Sequence, residues 1–227
     1  MYSLILLNGG VGSRVAADRP KQFLNINGIP IIVFSLVAAD GCDEINEIVI
    51  NYPHGWLEQT QKIVEKYGIK KAVKYVEAGA TRHESVALMV SECSSDNVII
   101  HESARPMITS DDFQSLVEHH ASNVSYMHEI PFTVAPVEPE TGKVTGYLER
   151  SKLRNVQLPQ KFVKSELESA HTMAKDKGLN FTEDATLLAS MGFEVLFTDG
   201  SDNNFKVTTP VDVKVAGFLL SGNDSNE

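Results

Sequence analysis

The 227-residue sequence lacks any apolar run that approaches the roughly 20 residues of a membrane-spanning helix. Its N-terminus shows neither the basic region nor the small-residue cleavage site that mark a secretory signal. From these two absences we predict that the chain has no membrane span and lies in the cytoplasm.

Cysteine is scarce as well. The chain has two, Cys42 and Cys93, and their spacing matches neither a metal-ligand motif nor a disulfide framework. Buried, reduced thiols are the simpler interpretation, and a disulfide is the alternative. Reduced thiols agree with a cytoplasmic location.

Basic residues are fewer than acidic ones. Twenty Lys and Arg stand against thirty Asp and Glu, so the formal net charge is -10. This balance disfavours broad contact with nucleic acid or with an anionic membrane surface. A polyanionic small molecule would need a local cluster of cations, and the opening stretch does hold Arg14, Arg19 and Lys21 together.

Most of the chain alternates short apolar, β-rich runs with helix-period segments. The first pairs are YSLILLN with IPIIVFSLVAAD, EIVINYP with WLEQTQKIVEKYG, AVKYVEAG with ATRHESVALMVSECS, and NVIIHESARP with SDDFQSLVEHHAS. This alternation is typical of βαβ units around a buried, mostly parallel sheet. We therefore predict one doubly wound, Rossmann-like α/β domain over residues 1–227, with ligands bound at the carboxyl ends of its strands.

Residues 132–161 interrupt this alternation with extended segments around a Gly-containing turn. We predict a protruding β-arm there, which is either a solvated flap or a hairpin that pairs with a second subunit. The alternation then resumes and ends with a helix from Thr209 to Leu220. A polar tail at 221–227 is expected to fray.

The loop after the first strand reads LNGGVGSRVAADRPKQFL. It does not match the dinucleotide motif, because Val15 stands where the third glycine belongs, and the chain contains no P-loop. The loop nevertheless joins glycines, which allow close backbone approach to a phosphate, with two well-spaced cations, Arg14 and Lys21. A plain surface loop is the alternative.

Two later turns carry charge at the same predicted edge. In GATRHES, Arg82 and Ser85 lie at a helix start, which favours an anion; a capping Thr81 beside an exposed arginine is the alternative. In HESARP, Glu102 follows an apolar strand and can hold Mg²⁺. Its alternative is a structural ion pair with Arg105.

The chain resembles the cytidylyltransferases that activate sugar-alcohol phosphates. Six ordered blocks carry the resemblance: LNGGVGSRxxxxxPKQFL, GATRxxSV, IHESARP, LPQKF, TEDA and NNFKVTTPVDV. They run from Leu6 to about Leu220. The resemblance implies a nucleotidyltransferase fold and the transfer of CMP from CTP to a polyol phosphate, with Mg²⁺ as the cofactor and pyrophosphate as the second product.

The resemblance also implies roles for individual residues. The cations assigned to the triphosphate and to catalysis are Arg14, Lys21 and Lys206. The residues assigned to the nucleotide are Asn8, Gly9, Gly10, Gly12, Gly79, Arg82 and Ser85. The residues assigned to the acceptor are Glu102, Arg150 and Thr182. Glu102 is in addition the implied metal ligand, and Arg150 acts across a subunit boundary, so the resemblance implies a homodimer.

This chemistry agrees with the residue types present. An acceptor phosphate oxygen can attack the α-phosphorus in line, so catalysis requires positioning and charge stabilisation rather than a protein nucleophile. A phosphomonoester is already ionised near neutral pH, since its second pKa is about 6. A strong general base is therefore unnecessary.

Three places depart from the family pattern, all on the acceptor or metal side. Glu102 replaces the usual aspartate, Leu158-Pro159-Gln160 replaces proline-threonine-glutamine, and residues 138–141 replace an aspartate-threonine pair. Asn8 in LNGG and Ser103 favour ribitol 5-phosphate as the acceptor, whereas ARP at 104–106 favours methylerythritol phosphate.

From this balance we predict ribitol 5-phosphate as the acceptor, used for an envelope or capsule polymer. The alternative is a 2-C-methyl-D-erythritol 4-phosphate cytidylyltransferase of isoprenoid biosynthesis. A more remote alternative is a nucleotide-binding regulator without catalytic activity.

Overall fold

A seven-stranded sheet forms the centre of this computed structural model, which describes residues 1–10 and 19–222. The strands of the described chain are β1 (Tyr2–Leu7), β2 (Asn25–Ile26), β3 (Ile29–Pro30), β4 (Ile45–Tyr52), β5 (Ala72–Glu77), β6 (Asn97–Glu102), β7 (Val124–Glu129), β8 (Val137–Glu138), β9 (Lys143–Val144), β10 (Arg154–Val163) and β11 (Leu196–Asp199). The central sheet has the order β11-β7-β10-β6-β1-β4-β5. Strand β10 is antiparallel to both neighbours and the remaining pairs are parallel. The predicted, mostly parallel α/β sheet is confirmed.

Helices cover both faces of the sheet. The described helices are α1 (Ile31–Asp40), α2 (Leu57–Lys66), α3 (Arg82–Glu92), α4 (Ser110–Glu118), α5 (Lys164–Asp176), α6 (Asp184–Ser190) and α7 (Pro210–Leu220). Alternate residues of a strand point to opposite faces. Accordingly, Leu4 and Leu6 join the core formed with α1, α2 and α4, while Ile5 joins the core formed with α3, α5 and α6. This is the predicted doubly wound arrangement.

The strand order reverses direction at β1, and this reversal marks where a ligand can bind. The chain runs from the central β1 outward through β4 to β5 and then crosses to β6 on the other side of β1. Leu7 is paired with Glu102 at the carboxyl ends of β1 and β6. Ligands of open α/β sheets bind at such a reversal of strand order.

The arm is shorter than the sequence pattern indicates. Strand β10 belongs to the central sheet and pairs with β6 and β7, so the predicted arm at 132–161 overlaps it and only residues 132–153 lie outside the sheet. Polar residues conceal this strand in the sequence. Gln157, Gln160 and Lys161 are all buried, and each donates a hydrogen bond inside the fold.

Several smaller expectations can be compared with the described residues. Cys42 and Cys93 are buried free thiols, as predicted. Among the described residues, no helix has the length and apolar character needed to cross a bilayer. Helix α7 ends at Leu220, and most of the predicted frayed tail, from residue 223 onward, lies outside the described residues.

Candidate active site

A cleft of about 470 Å³ opens at the carboxyl ends of β1, β4, β5 and β6. Its described lining consists of Leu7, Asn8, Gly9, Gly10, Lys21, Gln22, Asn51, Ala78, Gly79, Ala80, Thr81, Arg82, Ser85, Glu102, Ser103, Ala104, Lys206 and Thr208. Nine sequence-predicted site residues are in this set: Asn8, Gly9, Gly10, Lys21, Gly79, Arg82, Ser85, Glu102 and Lys206. The two remaining residues of the opening loop, Gly12 and Arg14, lie outside the described residues.

The floor of the cleft is formed where β1 and β6 end. Ser103 N donates to Leu7 O at 3.0 Å, and Ser103 Oγ donates to Asn8 Oδ1 at 2.8 Å. The backbone N–H of Asn8 donates to Asn51 Oδ1 at 2.5 Å. Within the described part of the chain, the buried Asn8 Nδ2 has no hydrogen-bond partner. A ligand in the cleft is one group that could accept from it, since buried donors are normally paired.

The two described glycines of the opening loop have different surroundings. A Cβ on Gly9 would lie 2.5 Å from Ala78 Cβ, so only glycine fits between the ends of β1 and β5. A Cβ on Gly10 would meet no described atom within 4 Å. Gln22 fixes this backbone by donating to Asn8 O and, at 3.0 Å, to Gly10 O.

The turn before α3 forms the facing wall. Thr81 caps the helix by accepting from Glu84 N at 3.1 Å, and Ser85 Oγ accepts from Gly79 N at 3.1 Å. The capping role considered from the sequence is therefore present. The alternative also expected an exposed arginine, which the structure does not show. The side chain of Arg82 is only 24% exposed, and its Nη2 lies 2.7 Å from Asp184 Oδ2.

Glu102 is buried at the end of β6 between two cations. Its Oε1 accepts from Lys206 Nζ at 2.7 Å, and its Oε2 lies 3.3 Å from Arg105 Nε. Burial raises the pKa of this carboxyl, but the charges of Lys206 and Arg105 outweigh that effect and lower it to about 2. Glu102 is therefore a fixed negative charge at any physiological pH, paired with Arg105 and also accessible from the cleft.

The segment before α7 brings two lysines to the same place. Val207 N donates to Ala104 O at 2.8 Å, which fixes Lys206 beside the end of β6. Lys21 Nζ in turn donates to Val207 O at 2.8 Å. Two ammonium groups from opposite ends of the sequence thus lie on one wall.

Two predicted acceptor residues are not brought to the cleft. Arg150 is exposed on the arm and donates from Nη1 to Pro131 O at 3.2 Å. Thr182 is also exposed, directly before Glu183, whose side chain caps α6. In this single chain neither residue lines the cleft, so their acceptor roles remain predictions.

Sequence reasoning missed several polar residues of the site. Asn51, Gln22 and Ser103 were not assigned to the ligand, although each fixes backbone or side chains of the cleft. Asn51 had one available signal, a polar residue at the carboxyl end of the apolar run EIVIN. Asp184 was not singled out in the sequence, and its pairing with Arg82 had no signal there.

Comparison with known proteins matches residues 2–222 to the family model of 2-C-methyl-D-erythritol 4-phosphate cytidylyltransferase, IspD. The chain belongs to the IspD family. It is a CTP-dependent cytidylyltransferase, and the resemblance stated from the sequence blocks is confirmed.

Individual relatives are similar to this chain over nearly its whole length. The 2-C-methyl-D-erythritol 4-phosphate cytidylyltransferase of Bacillus cereus (strain ATCC 10987) is 34% identical over 221 residues, covering 97% of this chain and 98% of the relative. The crystal structure of 2-C-methyl-D-erythritol 4-phosphate cytidylyltransferase from Thermus thermophilus has 27% identity and a TM-score of 0.76. The match covers 97% of this chain and all of that one.

A further solved structure supports the fold alone. The 4-diphosphocytidyl-2C-methyl-D-erythritol synthase from Anaerococcus prevotii has a TM-score of 0.84 at 22% identity, covering 97% of this chain and 96% of that one. The central sheet and its helices are thus those of IspD nucleotidyltransferases.

Proposed function

We propose that the chain transfers CMP from CTP to 2-C-methyl-D-erythritol 4-phosphate and releases pyrophosphate. Ribitol 5-phosphate, the acceptor favoured from the sequence blocks, has less support, because the family model and the relatives carry the name of the other acceptor. The observation that carries the reaction class is the cleft, which Lys21, Arg82 and Lys206 line together with the carboxylate of Glu102.

The nucleotide occupies the wall built by the ends of β1 and β5. Gly79, Arg82 and Ser85 bind the base and ribose, and the space beside Gly10, which no described atom fills, admits the phosphates. Asn8 Nδ2 supplies a further donor that has no partner among the described residues. Backbone N–H groups at the start of α3 favour electronegative atoms of the ligand.

Catalysis in this proposal consists of positioning and charge stabilisation. A phosphate oxygen of the acceptor attacks the α-phosphorus, and the bond to the leaving pyrophosphate breaks. Lys206 and Lys21 donate to the phosphate oxygens that gain negative charge, as does Arg14 of the predicted triphosphate site. Preorganised donors of this kind act most strongly in a cleft that excludes water.

Glu102 is the proposed ligand for Mg²⁺, and its chemistry fits that ion. It presents an ionised carboxylate at the cleft, and Mg²⁺ takes one or two protein carboxylates together with phosphate oxygens and water. In the described parts of the chain no three acidic, His or Cys side chains form a metal cluster, so the phosphates would complete the shell. When bound, Mg²⁺ would offset the negative charge of the phosphates during transfer.

The arm is proposed to form a homodimer and to deliver Arg150 to the acceptor phosphate of the neighbouring subunit. Apolar side chains on the arm are unusually exposed for a monomer: Phe132 is 78% and Tyr147 81% accessible. Large exposed apolar groups often mark contact surfaces. Arg150 does not reach the cleft of its own chain, which agrees with action across a boundary.

The proposal is tested by pyrophosphate release from purified protein with CTP and Mg²⁺. Three parallel reactions contain 2-C-methyl-D-erythritol 4-phosphate, ribitol 5-phosphate or no acceptor, and Lys206→Ala protein controls for contaminating activity. We expect turnover with the first acceptor to exceed that with the second by about tenfold or more, since a mismatched polar substrate leaves buried site groups unpaired.

Two outcomes contradict the proposal. Turnover with ribitol 5-phosphate alone would restore the acceptor favoured from the sequence. Calorimetric binding of CTP without turnover on either acceptor would support the nucleotide-binding regulator instead.

A further inference from the structure

A charge pair joins Arg82 in the wall of the cleft to Asp184, a buried carboxylate that has no part in the mechanism above. Arg82 Nη2 and Asp184 Oδ2 are 2.7 Å apart, and Asp184 is 1% exposed. The two residues begin different helices, α3 and α6, which are far apart in the sequence. The pair therefore connects the nucleotide wall to the element that follows the predicted acceptor residue Thr182.

Among the described residues, His171 is the other group close to the carboxylate of Asp184. His171 Nε2 on α5 lies 3.6 Å from Asp184 Oδ1, and the ring of His83 packs at 4.4 Å from that of His171. Burial raises the pKa of Asp184, but the positive charge of Arg82, together with the interactions of Arg82 and His171 with the carboxylate, outweighs this and holds the pKa below its ordinary value. The guanidinium is thus the main partner of a fully buried carboxylate.

A buried ion pair seldom raises stability over a well-packed apolar pair of the same volume. Its presence here therefore calls for another reason, and Arg82 offers one. Arginine has a long side chain with many rotamers, and its planar fork binds specifically only when its orientation is fixed. Asp184 fixes one edge of that fork from inside the protein, while Arg82 also lines the cleft.

We propose that Asp184 is a positioning residue for CTP binding, which holds the Arg82 guanidinium in the orientation that the nucleotide needs. This inference rests on the proposed nucleotide role of Arg82. In the free protein the fork is already fixed, so less conformational freedom is lost when CTP binds. Asp184 itself lies outside the described lining of the cleft and acts through Arg82 alone.

The inference is tested by calorimetric titration of the full chain with CTP in the absence of an acceptor, so that no turnover occurs. Asp184→Asn keeps the shape and removes the charge, and Arg82→Gln removes the guanidinium. Each is expected to weaken CTP binding by about tenfold or more, the range for losing one charged hydrogen bond. The double variant is expected to bind CTP within about twofold of Arg82→Gln, because Asp184 has nothing left to position.

Leu187→Ala is the matched control. Leu187 is a fully buried core residue of α6, so its truncation lowers the melting temperature of the protein without removing a charge. CTP affinity of this variant is expected to stay within about twofold of wild type, because leucine has no polar atom that could orient the Arg82 guanidinium. A parallel loss of affinity in Leu187→Ala and Asp184→Asn would show that loosening α6 suffices, and would overturn the inference.

Folding of the single variant does not decide the test. If Asp184→Asn fails to fold, the double variant still can be compared with Arg82→Gln, because it removes both charges of the buried site. A further loss of affinity in the double variant, or unchanged affinity in Arg82→Gln, overturns the inference. Failure of the proposed function gives a different result, namely CTP binding by wild type without pyrophosphate release on 2-C-methyl-D-erythritol 4-phosphate.

Discussion

The substitution Glu102→Gln tests whether the carboxylate between Lys206 and Arg105 stabilises the protein as a charge. Folding lowers the pKa of Glu102 from 4.5 to about 2, and this fall corresponds to about 3 kcal/mol of unfolding free energy at neutral pH. Because the folded-state pKa is the lower one, this stabilisation is complete above about pH 4.5. It is lost progressively as the pH falls toward about 2.

Urea unfolding monitored by circular dichroism measures this effect directly. At pH 7 we expect Glu102→Gln to be about 3 kcal/mol less stable than wild type, and at pH 3 the difference should shrink to about 1 kcal/mol. Other titrating groups are common to both proteins and cancel from the comparison. A difference that is the same at the two pH values would refute the reasoning, since it would show that Glu102 contributes shape rather than charge.

Glu47→Gln is the control that separates the effect of Glu102→Gln on stability from its effect on catalysis. Glu47 is also buried with a pKa lowered to about 2, in its case by bonds from Ser3 and Ser94 and by Lys74 at 3.0 Å, but it does not line the cleft. Both variants should show the same pH-dependent loss of stability. Only Glu102→Gln should lower kcat, by about a hundredfold, the scale of losing one well-placed electrostatic group. Equal kcat in the two variants would remove Glu102 from the active site.

Three further predictions concern the cleft and the arm. Lys21→Ala and Lys206→Ala should each lower kcat by about two orders of magnitude with retained circular dichroism, and near-normal kinetics would remove them from catalysis. Gly9→Ala should lower the free energy of unfolding in urea by about 1–3 kcal/mol, because the added Cβ meets Ala78. Gly10→Ala should leave stability unchanged and raise the KM for CTP. An unchanged KM would show that the nucleotide does not pass Gly10. Arg150→Ala should raise the KM for the acceptor in a protein that sediments as a dimer, and a fully active monomer would contradict the role of the arm.

The fold was largely predictable because its signal is local. Short apolar runs alternate with helical periods, and each run is a strand or a helix in the structure. Strands β7 and β10 are exceptions that the predicted runs did not include, and Gln157, Gln160 and Lys161 give β10 a polar appearance. Their partners, such as Ser125 for Gln160 and the carbonyl of Val117 for Lys161, come from elements that only the folded chain brings together.

The site was predictable only in part, for the same reason. Arg82, Glu102 and Lys206 were found because charged residues at strand ends and helix starts stand out in a sequence and match a family pattern. The pairing of Arg82 with Asp184 depends on how α6 packs against α3 and α5. The sequence TEDA is typical of a helix cap, and Glu183 does cap α6, so the local pattern gives no reason to expect a distant partner for Asp184.

The described lining of the cleft carries three cations, Lys21, Arg82 and Lys206, against the single carboxylate of Glu102, on a chain whose net charge is -10. A nucleoside triphosphate therefore meets repulsion from the molecule as a whole before it meets attraction at the site. Salt screens the distant charges most, since the Debye length is about 8 Å at physiological ionic strength. Moderate salt should thus leave the association rate of CTP unchanged or raise it. When protein and ligand carry opposite net charges, added salt lowers the association rate instead.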